Sequence, residues 1–194
     1  MKKTPIASRI LEAAAALFAE SGYAGVSLTD LEKKAKVTRT SIYQQFGSKQ
    51  KLFEEALELA MGRLLDPGAF VITIFENRKK QALPALLTSA VEQWYAAMPR
   101  ETARLLLYAA LSGSKKWREI ALAPIERIIE LLATGMEREM PKKSGFRPVT
   151  AARALVLALL QFKVLVAAEK AGKEETAEVR AIIEQWLKGL AAVT

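Results

Sequence analysis

The feature that most limits the possible folds is a succession of short apolar stripes with helical spacing, each bounded by residues that start or stop helices. Thr4 and Pro5 supply an N-cap and a first-turn proline, and Gly22 follows the end of the first stripe. Ser27 and Asp30 have the spacing of a capping box, which opens a second helix. Because apolar residues at this spacing share one helix face, we predict an all-α fold of about nine helices.

The second and third helices are joined by a tight connection. The second helix is expected to end near Ala35, Val37 lies in the connection, and the third helix is expected to run from about Arg39 to Phe46. Ile42 and Phe46 share one face of that helix and can pack inward. Two helices joined in this way form a helix-turn-helix, in which the second helix of the pair enters the major groove of DNA.

Positive charge is concentrated in the same part of the chain. Of the net charge of +8, residues 1–51 contribute nine Lys/Arg against four Asp/Glu, or +5, and the remainder contributes twenty against seventeen, or +3. No acidic residue lies between Lys33 and Phe53. A basic surface attracts polyanions, of which nucleic acid is the commonest. A solvated, lysine-rich face would have the same composition. The outward residues of the third helix are therefore needed to distinguish a DNA-binding surface from such a face.

Those outward residues are suited to DNA. Arginine can form a bidentate contact with guanine and glutamine with adenine, while serine and threonine serve several bases. A carboxylate would be repelled by phosphate, and the third helix contains none.

Here the sequence resembles the N-terminal signature of the TetR family of bacterial transcriptional regulators. The resemblance covers about fifty N-terminal residues in order and with the right gaps, whereas the rest of the chain matches only in helix number and length. The matching residues are Ile10, Leu11, Ala14, Leu17, Phe18, Gly22, Tyr23, Leu31, Val37, Tyr43, Phe46, Ser48, Lys49 and Leu52.

The resemblance implies a helix-turn-helix DNA-binding domain at residues 1–48 and a helical effector-binding and dimerisation domain at residues 49–194, with a helix at about 49–66 linking the two. It implies contacts with the phosphate backbone from Thr29, Tyr43 and Lys49. It implies that bases are read or approached by Arg39, Thr40, Ser41, Gln44 and Gln45. The tyrosine hydroxyl can donate to a phosphate oxygen, and Lys49 adds a cation beside a helix N-terminus that already favours phosphate.

Two positions depart from the family pattern. Glu32 stands where the family usually has alanine, and it is expected either to point outward or to pair with a nearby cation. Lys36 stands where the family usually has glycine in the turn. A positive φ at Lys36 would cost roughly 1 kcal/mol.

The composition excludes several kinds of site. The chain has no cysteine and no histidine, which removes disulfides, thiolate metal sites, cysteine nucleophiles, the commonest metal ligand and the usual general base. Catalysis by carboxylates or lysine stays possible, but no pair is placed for it, so we expect a protein that is not an enzyme. We also expect no cofactor, no metal site and no induction by a divalent metal. Residues 1–10 lack a signal peptide's apolar run, and the apolar stretch from Ala154 to Ala168 is shorter than the ~20 residues of a membrane span, so we expect a soluble, cytoplasmic protein without a membrane partner.

The resemblance implies that the last two helices form a four-helix bundle with those of a second copy. Residues 154–168 are apolar nearly all round, more than a monomer can bury, although both stripes are also consistent with an ordinary core. The expected interface residues are Leu155, Leu159, Val166, Val179, Ile182, Ile183, Trp186 and Leu190. A two-fold dimer would present its recognition helices to half-sites about 34–36 Å apart or a multiple of that distance.

Aromatic and methionine side chains in the middle helices suit a small apolar or aromatic effector, and core packing explains each of them equally well. The candidates are Trp94, Tyr95, Met98, Arg104, Tyr108, Trp117, Gln161 and Phe162. The sequence thus predicts a dimeric repressor of a palindromic DNA operator that a ligand releases by favouring the state that does not bind DNA. The alternative is a helical small-molecule-binding or scaffold protein whose DNA reading has decayed.

Overall fold

The structure, a computed structural model, describes residues 5–65, 83–139, 147–165 and 177–185. Every regular element within these ranges is an α-helix, so the predicted all-α fold is confirmed. The helices are α1 (Pro5–Gly25), α2 (Leu28–Ala35), α3 (Arg39–Phe46), α4 (Lys49–Leu65), α5 (Leu83–Ala97), α6 (Arg100–Leu111), α7 (Lys115–Glu139), α8 (Pro148–Leu165) and a ninth helical segment, α9, at residues 177–185.

The ends of the N-terminal helices follow the capping residues in the sequence. The backbone N–H of Asp30 donates to the Ser27 hydroxyl at 3.1 Å, and the backbone N–H of Ser27 donates to the Asp30 carboxylate at 2.9 Å, which completes the predicted capping box. Thr38 caps α3 by accepting from the backbone N–H of Ser41 at 3.3 Å. Gly47 ends α3 with a φ of 72°.

The sequence predicts that the first helix stops at Gly22, but in the structure Gly22 only interrupts α1 and the chain returns to helix as far as Gly25. The φ of 69° at Gly22 is one that a side chain disfavours. A Cβ at this position would also lie 2.7 Å from Cε2 of Tyr108 on α6. The close approach of α6 to α1 therefore depends on the missing side chain.

The described helices belong to two compact units. The first comprises Met1–Arg63 and Arg100–Ala123, and the second comprises Leu64–Pro99 and Pro124–Thr194. In the first unit α1 packs against α2, α3 and α6. The segment that contains α6 is therefore part of the unit that carries the helix-turn-helix. The predicted division at residue 48 concerns function rather than packing and stays a prediction.

The core of the first unit is built on large apolar side chains from several helices. Phe18, Leu31, Ile42 and Phe53 are completely or almost completely buried, and Phe46 is buried beside them. Ile42 and Phe46 are thus the two inward residues of α3, as their spacing predicts.

The second unit is held by apolar packing and two interhelical ion pairs at its surface. Arg180 on α9 binds Glu92 on α5 through two hydrogen bonds, at 2.6 and 3.0 Å, and Arg153 on α8 binds Glu126 on α7 at 2.8 Å. The buried apolar side chains of this unit include Trp94, Tyr95, Met98, Ile128, Ile129, Leu132, Leu155, Leu159, Val179 and Ile183.

Helix α8 is long and apolar enough to cross a membrane by length and composition alone, with a mean hydropathy of 1.5 over 18 residues. In the described part of the chain it is the one helix with this property, and 33% of it is buried inside the structure. This is weak evidence for a membrane span, because the core helices of soluble proteins pass the same test.

Candidate nucleic-acid interface

The outer face of α3 carries the polar side chains that the sequence singled out. Thr40, Tyr43 and Gln44 are exposed and share one face by their spacing, with Tyr43 retaining 46% of its accessible surface. Arg39 and Gln45 are also exposed and Ser41 is half-buried. With Ile42 and Phe46 packed inward, α3 offers a surface of hydroxyl, amide and guanidinium groups that contains no carboxylate of its own.

Arg39, the first residue of α3, is held by two residues of α2. Its backbone N–H donates to Oε1 of Glu32 at 2.7 Å. Its Nη2 donates to the Thr29 hydroxyl at 3.2 Å and lies 3.4 Å from Oε2 of Glu32. The predicted pairing of Glu32 with a nearby cation is therefore present, and the cation is the foremost candidate for reading a base.

The turn between α2 and α3 has the strained conformation that the sequence suggested. Lys36 has φ 52° and ψ 53°, in the left-handed region, and its backbone N–H donates to the carbonyl oxygen of Glu32. The N–H of Val37 donates to the same oxygen at 3.2 Å. Lys36 thus adopts the conformation for which the family usually has glycine, and its exposed side chain adds positive charge beside Lys33 and Lys34.

Lys49, at the start of α4, is anchored by an aromatic ring. Its Nζ lies 4.5 Å from the centroid of the Tyr23 ring, a cation–π contact. Partial burial lowers the pKa of Lys49. The Tyr23 centroid lies 5.3 Å from that of Phe53 and 4.8 Å from that of Trp117. The sequence predicted the cation at this helix N-terminus but not the aromatic support beneath it.

Glu54 follows Phe53 of this aromatic cluster in the sequence, and its carboxylate is half-buried. Glu54 on α4 accepts hydrogen bonds from Nζ of Lys116 at 2.7 Å and from Nε2 of Gln50 at 3.1 Å. Burial alone would raise the pKa of Glu54, but the hydrogen bonds from Lys116 and Gln50 outweigh it and the pKa lies below its usual value. The ion pair ties the start of α7 to α4 inside the first unit.

Comparison with known proteins identifies the helix-turn-helix region. Residues 10–56 match the family model of the bacterial regulatory proteins of the tetR family. The helix-turn-helix region of this chain is therefore similar to the DNA-binding region of TetR-family regulators. Among curated relatives, this chain is 36% identical over 85 residues to the HTH-type transcriptional repressor AcnR of Corynebacterium efficiens, covering 43% of this chain and 42% of AcnR.

A second relative is the negative transcriptional regulator IcaR of the biofilm operon icaADBC in Staphylococcus aureus, strain Newman. It is 28% identical over 78 residues, which is 40% of each protein. The chain therefore matches about two fifths of the length of these relatives.

Solved structures match almost the whole chain in fold. PfmR from Thermus thermophilus has a TM-score of 0.69 at 24% identity and covers 93% of this chain and 97% of its own. FadR from Bacillus subtilis, solved in complex with stearoyl-CoA, has a TM-score of 0.67 at 17% identity, covering 94% and 98%. At these identities the likeness establishes the TetR fold, with its helical C-terminal part.

The predicted effector residues are divided between the two units. Trp94, Tyr95 and Met98 are buried in the second unit, where the half-buried Phe162 lies 6.1 Å from Tyr95 between ring centroids. Gln161, also in that unit, is exposed. Their role in binding an effector stays a prediction.

The other three candidates lie in the first unit. Arg104 is exposed, whereas Tyr108 and Trp117 lie against Phe53, with centroid distances of 6.1 and 4.4 Å. Trp117 also contacts Tyr23, so these two aromatic residues belong to the cluster that supports Lys49.

Sequence reasoning missed a buried lysine in the second unit. Lys163 on α8 keeps only 8% of its accessible surface, and its Nζ lies 4.2 Å from the centroid of the Tyr95 ring. Its position in an otherwise apolar helix, next to Gln161, was the signal available in the sequence.

The first unit contains a cavity of about 200 Å³ that none of the predicted effector residues lines. Arg63 and Glu12, which form an ion pair, stand at this cavity together with Glu101. The remaining lining residues are Ala15, Ala16, Ala60, Thr102 and Leu105. Within the described ranges no group of three or more acidic side chains is placed to hold a metal ion.

The residues expected at the dimer interface lie mostly in the protein's own core. Leu155, Leu159, Val179 and Ile183 are buried within the single chain, which leaves them little surface for a partner, and Ile182 is half-buried. Val166, Trp186 and Leu190 lie outside the described residues. The role of all eight residues at an interface stays a prediction.

Proposed function

We propose that this protein is a DNA-binding transcriptional repressor that acts as a homodimer on a palindromic operator and leaves it when a small effector binds. The observation that carries the proposal is α3 itself: Ile42 and Phe46 fix the helix to the core, and the opposite face presents side chains that hydrogen-bond to bases. The match of residues 10–56 to the tetR family model and the repressor function of the relative AcnR support it.

The exposed residues divide into two roles. Thr29 on α2, Tyr43 on α3 and Lys49 on α4 would bind phosphates, which sets the position of the protein on the duplex. The residues that would read or approach bases are Arg39, Thr40, Ser41, Gln44 and Gln45. The exposed lysines at the end of α2, together with Lys36 in the turn, would add electrostatic attraction for the phosphate backbone.

A second copy of the chain is the proposed partner of α8. While Leu155 and Leu159 face the core, the opposite side of the helix is apolar and exposed: Leu157 keeps 43% and Leu165 66% of its accessible surface. Ala154, Ala158 and Gln161 continue this exposed face by helical spacing. Such a face costs free energy in water and is suited to an isologous interface with the same helix of a second copy.

The effector site proposed here lies among the buried aromatic and methionine side chains of the second unit, Trp94, Tyr95 and Met98 with Phe162. An apolar or aromatic small molecule matches this lining. FadR, which has the same fold, was solved with stearoyl-CoA, and this supports an apolar effector. The effector would act by binding more tightly to the state that does not bind DNA.

A second candidate function is that of a helical small-molecule-binding protein whose DNA reading has decayed. Two observations favour it: Glu32 places a carboxylate against Arg39, and Lys36 occupies a left-handed position. On either proposal the protein is a cytoplasmic binding protein rather than an enzyme.

Selection of the purified protein on a random duplex library, at two salt concentrations, separates these candidates. We expect an enriched palindrome with half-sites about 34–36 Å apart or a multiple of that distance.

Arg39→Ala should cost about 1–3 kcal/mol of binding free energy and relax the preference at one base pair in each half-site. Arg127→Ala, which removes an exposed arginine of the second unit, is the matched control and should enrich the wild-type sequence. Weak, salt-sensitive binding without enrichment would favour the second candidate.

A further inference from the structure

Glu32 organises the segment that begins the recognition helix. Its backbone oxygen accepts hydrogen bonds from the N–H groups of Lys36 and Val37, and its carboxylate accepts from the backbone N–H of Arg39 at 2.7 Å. A single residue of α2 therefore contacts both the turn and the first residue of α3.

The carboxylate of Glu32 is a cap for α3 supplied by another helix. The first N–H groups of a helix have no partner within it, and a negative charge is stabilised there by the helix dipole. Thr38 takes the N–H of Ser41, and Glu32 takes the N–H of Arg39. The two caps fix the start of α3 relative to α2.

The same carboxylate restrains the side chain of Arg39. Both contacts of the guanidinium with α2, to Thr29 at 3.2 Å and to Glu32 at 3.4 Å, are made by Nη2. Among the described residues, Nε and Nη1 have no hydrogen-bond partner, and the Arg39 side chain remains 52% exposed. One edge of the guanidinium is thus held while the rest stays available to an acceptor on DNA.

We propose that Glu32 is a positioning residue that sets the direction from which Arg39 reads its base pair, and so determines part of the operator specificity. The proposal rests on the proposed function, since it requires Arg39 to contact a base. A long side chain that is already oriented loses less conformational freedom on binding, and this favours the base that the held geometry fits. The nearby carboxylate also weakens the general attraction of Arg39 for phosphate, which carries no sequence information.

An ion pair as exposed as this one is weak when both side chains must be ordered to form it. Here the carboxylate is ordered separately, because the backbone N–H of Arg39 holds its other oxygen. Only the guanidinium of Arg39 therefore has to lose conformational freedom when the ion pair forms.

A double-mutant cycle tests the proposal. Glu32→Gln keeps an oxygen for the Arg39 N–H but removes the charge that holds Nη2. Binding would be measured for the wild type, Glu32→Gln, Arg39→Ala and the double variant, on the selected operator and on operators changed at each base pair in turn. We expect Glu32→Gln to reduce discrimination by about fivefold at the base pair that Arg39→Ala identifies, the upper end for an exposed ion pair. In the Arg39→Ala background the same change should have no effect on discrimination there.

Two further variants complete the design. Glu58→Gln removes the same charge from an exposed position on α4 and should leave discrimination unchanged. Thr29→Val removes the other acceptor of Nη2 but keeps the Glu32 cap, so it tests the restraint even if Glu32→Gln fails to fold. It should reduce discrimination at the same base pair.

The outcomes separate this inference from the function on which it rests. If wild-type protein does not distinguish the operator from random duplex, the proposed function fails and the inference fails with it. If wild type discriminates but Glu32→Gln changes nothing, or changes discrimination equally with and without Arg39, only the positioning role is overturned. An unchanged base preference in Arg39→Ala would overturn it as well.

Discussion

Replacement of Lys36 by glycine should stabilise the protein, because the turn between α2 and α3 forces this residue into the left-handed region. Its φ of 52° and ψ of 53° are the values at which a Cβ crowds the following backbone. A non-glycine residue in this region costs about 1–2 kcal/mol, with a mid-range of about 1.5 kcal/mol, and glycine avoids that cost. The Lys36 side chain is exposed, so its removal leaves no cavity.

The gain is reduced by an effect on the unfolded chain. Glycine has more conformational freedom than lysine in the unfolded chain, which lowers the free energy of unfolding by about 0.4–1 kcal/mol. The expected net stabilisation is about 0.5–1 kcal/mol, equivalent to a rise of about 1–4 °C in Tm for a chain of this size. Urea unfolding followed by far-UV circular dichroism would measure it.

Lys34→Gly is the matched control for that measurement. Lys34 is an exposed lysine in the last turn of α2, and among the described non-glycine residues only Lys36 has a positive φ. Glycine in a helical conformation costs about 1 kcal/mol, so the two variants should differ by about 1.5–2 kcal/mol in opposite directions from the wild type. If Lys36→Gly were as destabilising as Lys34→Gly, the left-handed conformation would not be the source of strain.

Four further predictions follow from described contacts. Lys49→Ala should weaken binding to all DNA sequences alike and lower the salt slope by about one, as read from a salt titration; a change in base preference would argue against a phosphate contact. Gly22→Ala should destabilise by about 2 kcal/mol or more in urea unfolding, because of its positive φ and the clash with Tyr108, and Tyr108→Ala should recover part of that loss. The capping-box hydrogen bonds lower the pKa of Asp30, so their contribution is present above the unfolded pKa and is lost as pH falls through the folded one. Acid unfolding of Asp30→Asn should therefore depend less on pH below about 4 than that of the wild type, and identical profiles would contradict this. Leu157→Arg should yield a folded monomer in sedimentation experiments, and a persistent dimer would exclude this face of α8 as the interface.

The N-terminal unit illustrates how far local sequence signals reach. The capping box at Ser27 and Asp30, the inward pair Ile42 and Phe46, and a break in the helical backbone at Gly22 could be predicted from the sequence, although α1 continues to Gly25. Each depends on residues within four positions of one another or on the conformational preference of a single residue. Such interactions form in the same way wherever the helices are placed.

The partner of Glu32 shows where that reasoning ends. The sequence indicated that a glutamate in place of alanine would either point outward or pair with a cation, and several cations were near it in the chain. Only the packing of α3 across α2 selects Arg39. The aromatic support of Lys49 is a stronger example, because Trp117 is far from Tyr23 in sequence and reaches it through the packing of α7.

By itself, the sequence determined the helical class, the helix-turn-helix and the outward side chains of α3, because hydrophobic periodicity and caps act over single turns. The tertiary structure decided which apolar helix faces are buried and which remain exposed. On α8 both sides are apolar, and the pattern could not tell which one faces the core; the structure buries Leu155 and Leu159 and exposes Leu157 and Leu165. A helix that is apolar all round carries no directional signal of its own, so its orientation is set only by the helices that pack against it.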